Sequence, residues 1–271
     1  MSDHKIAWLT DIHLNFLRSD ERENFYQSIT KTDATAVVIT GDIAEAKDVC
    51  EILNEFNFQI KMPIYFVLGN HDYYLGSVAD IRKKILKLCA ENFNLIWLGK
   101  PEIIKLNQHT VLVGHDGWAD GRYGDFEHSD VNLNDSRLIA ELFQAFLLNK
   151  SELKNQMQKL ADADADVLEQ TLITAINSEI KKIIIATHIP PYPECCWHKD
   201  KPSDKNWLPY FASKATGDVI VAIAQKHPNI EFLVLCGHTH TRSTAKMSNN
   251  LEVIAGAAEY NRPIIQGIIE A

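Results

Sequence analysis

Residues 64–72, with the sequence IYFVLGNHD, carry the pattern that decides the fold of this chain. A short, continuous apolar run is followed at once by Gly69 and then by Asn70, His71 and Asp72. A run of this kind is typical of a strand that is buried on both faces of a parallel sheet. Polar side chains that directly follow such a strand lie at the carboxyl edge of the sheet, where open α/β proteins bind their ligands.

Four other apolar runs along the chain are followed in the same way by aspartate or histidine. The residues in these positions are Asp11 and His13, Asp42, His188, and His238 and His240. Because the carboxyl ends of neighbouring parallel strands meet at one edge of a sheet, we expect all of these side chains to converge. The glycines before Asp42, Asn70 and His238 allow the sharp turns that this convergence requires.

The residue types in this set predict a metal centre. Carboxylates, an amide oxygen and imidazoles without cysteine suit Mn²⁺, Fe or Zn²⁺ better than Ca²⁺ or a structural zinc held by thiolates. Two ions need a bridging ligand, and a carboxylate such as Asp42 can bridge where an imidazole cannot. Two divalent ions, two aspartates and a bridging hydroxide leave a net charge of about +1, which attracts a phosphate oxygen. Taken alone, Asp11, Asp42, Asn70 and the glycines are better explained by turn chemistry, and His188 by a core or capping role. His238 and His240 are harder to explain in this way, because alternating residues of an extended segment point to the same side. The metal interpretation therefore rests on the whole set.

Strands and helices alternate in the first third of the chain. The predicted strands there cover residues 5–9, 36–40 and 64–68, and the predicted helices cover residues 20–31, 44–58 and 76–91. This alternation is typical of a parallel sheet with helical crossovers. Three short strands follow with short connections, and we expect them to pair locally in a second or mixed sheet; they cover residues 95–98, 103–106 and 110–114.

The pattern becomes helical around residues 131–180, which we interpret as a helical insertion. The repetitive segment ADADAD, residues 161–166, is expected to begin a helix, because acidic side chains in a first turn interact favourably with the helix dipole. The predicted elements then resume with strands at 183–187 and 231–235, a helix at 212–227 and three short strands between 245 and 267. No linker divides the chain, so we expect a single domain over residues 1–271.

Composition limits the possible function classes. Of the 271 residues, 46% are apolar and 23% are charged, which is ordinary for a globular chain and excludes collagen-like and disordered classes. The net charge of −9 argues against unassisted binding of nucleic acid. The N-terminus lacks the apolar stretch of a signal peptide, and no run approaches the roughly 20 apolar residues of a membrane span. Five cysteines without regular spacing do not form a disulfide framework, so we expect a cytoplasmic protein.

The five motifs together resemble the calcineurin-like metallophosphoesterase superfamily. They are DIH at residues 11–13, GD at 41–42, GNHD at 69–72, the lone His188 and GHTH at 237–240, and they occur in the order found in that superfamily. The resemblance implies an α/β fold, a four-layer α-β-β-α sandwich with two mixed sheets. It also implies a metal-dependent phosphoric ester hydrolase, which is either a phosphatase or a phosphodiesterase.

The resemblance further implies a role for each motif residue. The implied ligands of the first ion are Asp11, His13 and His240. Those of the second ion are Asn70, His188 and His238, and Asp42 is the implied bridging ligand. In proteins of this type a hydroxide held between two divalent ions attacks phosphorus in line with the leaving group. His71 would be the general acid that protonates the leaving group. The metal pair, drawn from Mn, Fe or Zn, stays open.

The sequence departs from the protein Ser/Thr phosphatases of this superfamily in two places. Those enzymes carry an arginine shortly after GD and a glutamate at the end of GNHE, where this chain has Glu45 and Asp72. The departure argues against a protein phosphatase and favours one of the looser phosphoesterase branches. Arg122 is a candidate to replace the missing arginine, and His115 and Asp116, at the end of a strand, are candidates to lie near the site.

The segment 189–210 follows His188 and is expected to border the site. Its aromatic and basic side chains fit either a substrate wall or a surface loop packed by its own rings; they are Tyr192, Trp197, His198, Trp207, Lys199, Lys201 and Lys205. The sequence therefore leaves the substrate-binding residues unknown.

The function we expect is hydrolysis of a phosphomonoester or phosphodiester of a small molecule. One alternative is a nuclease, but a nuclease needs a basic groove, for which the sequence offers no basic stripe. The other alternative is a non-catalytic scaffold with the same fold. Scaffolds of this kind usually lose ligands or the acid histidine, and this chain has kept all of them. The oligomeric state stays open.

Overall fold

Two β-sheets form the centre of the molecule in the computed structural model, which describes residues 4–271. The strands in chain order are β1 (Lys5–Leu9), β2 (Ala36–Thr40), β3 (Ile64–Val67), β4 (Leu95–Trp97), β5 (Ile104–Lys105), β6 (Thr110–Gly114), β7 (Lys182–Ala186), β8 (Trp197–His198), β9 (Lys201–Pro202), β10 (Glu231–Cys236), β11 (Ser243–Ser248), β12 (Leu251–Ala255) and β13 (Gly267–Glu270). The helices are α1 (Ser19–Thr30), α2 (Val49–Ile60), α3 (Val78–Glu91), α4 (Asp135–Leu138), α5 (Ala140–Leu148), α6 (Lys150–Ala175), α7 (Leu208–Phe211) and α8 (Lys214–Lys226).

Both large sheets are mixed, as predicted from the sequence. The strand order is β13-β1-β2-β3-β4 in the first sheet and β11-β12-β10-β7-β6-β5 in the second. Strands β1 to β4 run parallel to one another, and β13 is antiparallel to β1. In the second sheet β12, β10, β7 and β6 are parallel, while β11 and β5 are antiparallel strands at the two edges.

The two sheets pack face to face through one set of alternating side chains. Ile6 and Trp8 of β1 lie in the same buried cluster as Leu112 of β6 and Ile184 of β7. Leu9 of β1 points to the other side, into a cluster shared with α1, α2 and α3. The outer face of the second sheet packs against α6 and α8. These four layers confirm the predicted α-β-β-α sandwich, in which burial of each large aliphatic side chain contributes about 1.5–3 kcal/mol.

Helix α2 begins at Val49, later than the predicted residue 44, because a carboxylate holds the preceding loop in another conformation. The backbone N–H groups of Ile43 and Ala44 donate hydrogen bonds to Asp72 Oδ1 at 3.0 and 2.8 Å. Asp72 lies just after β3, so these bonds tie the loop that follows β2 to the loop that follows β3. The predicted helix start therefore falls in a segment that positions the site.

Strand β4 belongs to the first sheet, so the prediction that residues 95–98 pair locally with the following strands is wrong. β3 and β4 pair in parallel, with Ile64 beside Leu95 and Phe66 beside Trp97. Helix α3 supplies the crossover that two parallel neighbours need. The next two strands, β5 and β6, do pair locally as an antiparallel pair.

The helical insertion predicted around residues 131–180 consists of α4, α5 and α6. The prediction that residues 161–166 begin a helix is wrong, because this segment lies in the middle of α6. The helix begins at Lys150, where the side chain of Asn149 accepts a hydrogen bond from a backbone N–H. Asp164 of the repetitive segment is buried and lies 2.8 Å from the guanidinium of Arg82 on α3. A charged partner on another helix, and not the helix dipole, accounts for this acidic residue.

Two expectations concern the chain as a whole. None of the helices within residues 4–271 combines the length and the apolar character that crossing a bilayer requires. That residues 1–271 form one domain stays a prediction, and it includes three residues outside the described ones.

Candidate metal centre

Side chains from both sheets meet at the carboxyl ends of five strands. Strands β1, β2 and β3 of the first sheet and β7 and β10 of the second each lead directly into predicted site residues. His240 Nε2 lies 3.3 Å from Asp11 Oδ1, although the two residues follow strands of different sheets. The structure brings together the seven residues predicted as metal ligands, which are Asp11, His13, Asp42, Asn70, His188, His238 and His240.

Asp11, His13, Asp42 and His240 form a first group. One potential ligand atom from each residue lies within 4.8 Å of the corresponding atoms of the other three. His13 Nε2, for example, lies 3.7 Å from Asp42 Oδ2. Ligand atoms that each lie about 2.0–2.2 Å from one ion are separated by distances of this size. The first group therefore has the spacing of a metal site.

Asn70, His188 and His238 form a second group around one amide oxygen. Asn70 Oδ1 lies 3.0 Å from His188 Nε2 and 3.1 Å from His238 Nδ1. His188 is fully buried, and its Nε2 atom also lies 3.4 Å from Asp42 Oδ1. An amide oxygen and two imidazole nitrogens thus point toward one another beside the carboxylate of the first group.

Asp42 is in contact with both groups through different oxygens. Its Oδ2 atom faces His13 of the first group, and its Oδ1 atom faces His188 of the second. The backbone N–H of His71 donates a hydrogen bond to Oδ1 at 2.9 Å and helps to fix the carboxylate. A bridging ligand between two ions needs this arrangement.

Two observations test whether this donor set suits a metal. Both ring nitrogens of His13 are buried and have no hydrogen-bond partner within the described part of the chain. Because buried polar groups are hydrogen-bonded with few exceptions, this imidazole is expected to have a partner that the described protein atoms do not supply. Asp11 and Asp42 are buried near each other, and burial together with the charge of Asp11 raises the pKa of Asp42 well above its usual value. A divalent cation supplies the partner for His13 and offsets the repulsion between the carboxylates, so the donor set fits a metal.

Burial keeps two of the predicted histidine ligands neutral, which is the form that binds metals. Burial, reinforced by His71, lowers the pKa of His13 well below its usual value. Burial and the neighbouring His188 lower the pKa of His238 to about 4. His240 differs, because burial lowers its pKa but the hydrogen bond and negative charge of Asp11 raise it by more.

Five of the seven predicted ligands have left-handed backbone conformations, which residues other than glycine rarely adopt. They are Asp11, His13, Asp42, His238 and His240, with φ between 41° and 69°. Each such conformation costs roughly 1–3 kcal/mol, and clusters of them occur at functional sites. The neighbouring glycines are needed for space: a Cβ atom on Gly69 would overlap Asp42 Oδ1, and one on Gly237 would overlap Asp11 Oδ2.

A family model matches most of the chain. The model for the calcineurin-like phosphoesterase covers residues 4–242, a span that contains every residue of both groups and His71. The chain belongs to the calcineurin-like phosphoesterase family. Membership of this family implies a dinuclear centre of divalent ions. No curated protein matches the sequence significantly.

Solved structures support the calcineurin-like fold. A phosphopantetheinyl hydrolase from Mycobacterium tuberculosis has 11% identity and a TM-score of 0.67, over 99% of this chain and 96% of its own. A dimetal phosphatase from Danio rerio has 14% identity and a TM-score of 0.54, over 94% of this chain and 87% of its own. TT1561 of Thermus thermophilus has 12% identity and a TM-score of 0.51, over 94% of this chain and 90% of its own. Identities this low show a likeness of fold alone.

In this calcineurin-like phosphoesterase, backbone carbonyls orient the two imidazoles of the second group. His188 Nδ1 donates a hydrogen bond to Thr40 O at 2.9 Å, and His238 Nε2 donates one to Tyr210 O at 3.0 Å. The opposite ring nitrogens, His188 Nε2 and His238 Nδ1, face Asn70. Such neighbours set the tautomer and the orientation of metal-binding histidines.

Asp135, which no sequence pattern singled out, orients Asn70. Its Oδ1 atom accepts hydrogen bonds from Asn70 Nδ2 at 2.8 Å and from the Tyr74 hydroxyl at 2.6 Å. With its amide nitrogen held in this way, Asn70 presents its oxygen to His188 and His238. Asp135 is the first residue of α4, so the helical insertion reaches the metal centre. In the sequence it carries no signal beyond its place in a helical stretch.

Asp72 connects the two loops that carry Asp42 and Asn70. One carboxylate oxygen accepts the backbone N–H groups of Ile43 and Ala44, and the other accepts that of Gly69 at 2.8 Å. The side chain is fully buried. The last residue of the GNHD motif therefore holds the backbone of the site and does not face the ligands.

A cleft of about 280 Å³ opens beside the ligands. The aromatic and histidine side chains that line it, apart from the predicted ligands, are His71, Tyr74, His198, Trp207, Phe211 and Tyr260. Of the segment 189–210, His198 and Trp207 line this cleft. Tyr192 donates a hydrogen bond to Gly217 O instead, and Lys199, Lys201 and Lys205 are exposed outside the lining.

Arg122 lies outside the cleft, so the expectation that it replaces the missing arginine is not supported by its position. Its guanidinium lies 2.9 Å from Asp120 Oδ2 and 2.8 Å from Asp162 Oδ2. Asp120 lies in the loop after β6 and Asp162 lies on α6, so the side chain of Arg122 is paired with a carboxylate on each side.

His115 and Asp116 also lie outside the cleft, in a buried network around Arg82. The Arg82 guanidinium contacts Asp116 Oδ2 at 3.0 Å and Asp164 Oδ2 at 2.8 Å, and His115 Nδ1 lies 3.0 Å from Asp164 Oδ2. Asp116 Oδ1 accepts the backbone N–H of Leu68 at the end of β3. The Arg82 guanidinium contacts both carboxylates, and the network supports the loop that carries Asn70. His115, Asp116 and Asp164 also have potential ligand atoms within 4.8 Å of one another.

Proposed function

We propose that this calcineurin-like phosphoesterase hydrolyses a phosphomonoester or a phosphodiester of a small molecule. The observation that carries the proposal is the position of Asp42, which faces the two ligand groups with different oxygens while His71 lies beside it. We propose Asp11, His13 and His240 as ligands of the first ion. Asn70, His188 and His238 are the proposed ligands of the second ion, and Asp42 is shared by both.

The seven side chains are also the basis for the metal we propose. Oxygen and imidazole ligands without thiolate favour manganese, iron or zinc, in a pair that depends on supply as well as affinity. When bound, two such ions supply positive charge for the phosphoryl oxygens and acidify a water molecule that attacks phosphorus. Burial keeps the imidazoles of His13 and His238 neutral for this role. The carbonyl partners of His188 and His238 fix the orientation of those two rings.

His71 is the residue we propose as general acid. Its Nε2 atom lies 3.9 Å from Asp42 Oδ2, and its ring packs against Tyr74 with a centroid distance of 4.2 Å. Burial and the neighbouring His188 lower the pKa of His71 to about 3, so the imidazole is neutral before substrate binds. A phosphoryl anion favours the protonated form, and the proton then passes to the oxygen of the leaving group.

The charge of the cleft supports a small-molecule substrate over nucleic acid. Among the described residues that line it there is no lysine or arginine. A nuclease needs a basic track for the phosphate backbone on either side of the reacting bond. The scaffold alternative is weakened by the completeness of the ligand set and of His71. Two proteins of the same fold are a phosphopantetheinyl hydrolase and a dimetal phosphatase, and the activity proposed here is of a similar kind.

Turnover of two generic esters tests the proposal. Chelator-stripped protein with Mn²⁺ added back is expected to hydrolyse para-nitrophenyl phosphate, bis-para-nitrophenyl phosphate or both. His71→Ala is expected to lower turnover by about 100-fold or more while elemental analysis still finds two ions per chain, because general acids contribute rate enhancements of that size. Asp42→Asn is expected to abolish turnover.

A matched control is His128→Ala, since His128 is an exposed histidine, with 84% of its side chain accessible, far from any predicted ligand in the sequence. This variant should keep full turnover. Full turnover in His71→Ala would remove the acid role. A metal-loaded protein that cleaves neither ester, nor DNA added as single strands and duplex, would favour the scaffold instead.

A further inference from the structure

Two aromatic surfaces line the cleft. The first, here the Trp207 wall, consists of His198, Trp207 and Phe211; the rings of Trp207 and Phe211 are stacked with centroids 5.2 Å apart, and His198 lies 5.1 Å from Trp207. The second, here the Tyr260 wall, is the ring of Tyr260. Tyr260 is 44% exposed. Large rings at the mouth of a site are typical of surfaces that bind the organic part of a ligand.

Each wall flanks a different ligand group. The ring of Phe211 lies 5.4 Å from that of His238 in the second group. The ring of Tyr260 lies 4.7 Å from that of His13 and 5.3 Å from that of His240, both in the first group. A phosphoryl group held over Asp42, between the two groups, therefore has an apolar surface on either side. A phosphomonoester has one substituent and fills one of them, whereas a phosphodiester has two substituents and fills both.

The charge of the cleft leads to the same class of substrate. Besides the predicted ligands, the described residues of the lining contribute histidine, hydroxyl and amide groups but no lysine or arginine. The charge that binds phosphate must then come from the ions, whose net value with their ligands is about +1. A phosphodiester carries one negative charge and matches this value, while a phosphomonoester dianion carries a second charge that no lysine or arginine of the described lining compensates.

We propose that the cleft binds a phosphodiester with one substituent on each wall, and that the substituent on the Trp207 wall contains a planar aromatic ring. The flat, stacked pair of Trp207 and Phe211 favours a ring over an alkyl chain, and an aryl group and a nucleobase share this chemistry. The inference rests on the proposed function for the position of the phosphoryl group.

The position of His71 decides which substituent leaves. The ring of His71 lies 6.2 Å from that of Tyr260 and 4.7 Å from that of His13, so the proton donor lies on the side of the Tyr260 wall. Hydrolysis forms a bond between a water oxygen and phosphorus and breaks the bond from phosphorus to the oxygen of the substituent on that wall. His71 gives its proton to the leaving oxygen, and a proton of the water passes to solvent. The products are an alcohol or phenol and a phosphomonoester that keeps its ring on the Trp207 wall.

Equilibrium binding tests the inference independently of turnover. Calorimetric titration of the Mn²⁺-loaded protein would compare diphenyl phosphate with dimethyl phosphate, which lacks rings, and with phenyl phosphate, which lacks the second substituent. Diphenyl phosphate is expected to bind about tenfold more tightly than either, since one good aromatic contact is of the size that a tenfold change requires, about 1.4 kcal/mol. Thymidine 5′-phenyl phosphate in place of diphenyl phosphate distinguishes a nucleobase from an aryl ring.

Variants assign the effect to the wall. Trp207→Ala is expected to remove most of the tenfold preference for diphenyl over dimethyl phosphate, and Trp207→Phe is expected to restore it. Phe58→Ala, which changes a 71% exposed ring on α2, is the matched control and should leave all three affinities unchanged. The result for Trp207→Phe separates loss of a ring from loss of the fold.

Each outcome decides between the claims. Equal affinity for diphenyl and dimethyl phosphate would overturn the aromatic subsite, and tighter binding of phenyl phosphate would overturn the diester. If the predicted preference holds but neither para-nitrophenyl ester is hydrolysed, the binding inference stands and the proposed catalysis fails. Hydrolysis without any preference among the three esters would overturn the binding inference and leave the proposed catalysis intact.

Discussion

The carboxylate of Asp135 accepts a hydrogen bond from the side-chain amide of Asn70 at 2.8 Å. Asp135 belongs to the helical insertion, whereas Asn70 follows a strand of the first sheet. The bond fixes the one ligand whose two polar atoms could exchange places, because rotation of the amide would present nitrogen to the second group of ligands. The insertion therefore controls the geometry of a site to which it contributes no predicted ligand.

Removal of this carboxylate should weaken one ion selectively. We expect Asp135→Ala to lower the affinity for the second ion by about 10–100-fold, which is the usual effect of losing a partner behind a metal ligand. Elemental analysis at limiting Mn²⁺ should then find one ion per chain. Glu141→Gln is the control, because Glu141 accepts hydrogen bonds from the backbone at the start of α3 and does not contact Asn70. Equal loss of metal in both variants would indicate a general loosening of the insertion.

The carboxylate of Asp42 should lower the free energy of unfolding when metal is absent. Burial and the neighbouring Asp11 raise the pKa of Asp42, which means that its charged form is disfavoured in the folded protein at neutral pH. We expect Asp42→Asn to increase the free energy of unfolding of the chelator-stripped protein, because the neutral amide has no charge to bury. Urea unfolding at pH 7 measures this difference. With Mn²⁺ present, the order should reverse, because ions stabilise the wild-type protein by mass action.

Asp72 should matter for both stability and activity, although it does not face the ligands. Its two oxygens accept three backbone N–H groups, and Asp72→Asn replaces one oxygen with a group that donates. We expect a loss of about 1–3 kcal/mol in the free energy of unfolding, which is the cost of leaving a buried donor unsatisfied. Turnover should fall with it, because the loops that carry Asp42 and Asn70 lose their connection. Wild-type turnover in a destabilised variant would show that the loops keep their positions without Asp72.

The buried network around Arg82 should make stability depend on acidity. Burial would raise the pKa of Asp164, but His115 and Arg82 outweigh it and lower the pKa to about 2 from an ordinary value of 3.8. The folded state thus binds fewer protons than the unfolded state between these values. The stabilising contribution is complete above about pH 4 and is lost as the pH falls toward 2.

Asp164→Asn tests this contribution. At pH 7 we expect a loss of about 3 kcal/mol, the lower end for breaking a buried pair, because Arg82 keeps Asp116 as a second partner. The difference from wild type should shrink between pH 4 and pH 3. Asp162→Asn, at an exposed position in the same repetitive segment, should change stability by less than about 1 kcal/mol. A gap of constant size across this pH range would exclude the ionised carboxylate as its source.

The convergence of the seven proposed ligands was predictable because each of these residues carries a local signal. Asp42 and Asn70 follow directly on apolar runs, and a strand end fixes where such side chains go before any tertiary contact is known. Asp135 and Asp164 carry no comparable signal. Their roles depend on which side chain faces them from another element, and the pattern ADADAD therefore predicts a helix start where Asp164 in fact pairs with Arg82 on α3.

Strand pairing showed the same limit. Residues 95–98 are a strand, as predicted, but they pair with β3 rather than with the strands that follow. Short connections favour local pairing, and only the position of α3 in the fold shows that it carries the chain back to the first sheet. Part of the cleft lining was predictable from the sequence, since His198 and Trp207 lie in the segment expected to border the site. No sequence pattern indicated that Tyr260 also lines the cleft.

Ligands that come from two different sheets have a mechanical consequence. His238 donates its backbone N–H to the carboxylate of Asp11, a residue 227 positions earlier in the chain, and the ions would join the same two regions more strongly. Bound metal would then act as a removable crosslink between the two sheets of the sandwich. Neither sheet can separate from the other while both ions are held. Metal-loaded protein should accordingly unfold in one cooperative step, whereas the stripped protein is free to open along the seam between its sheets.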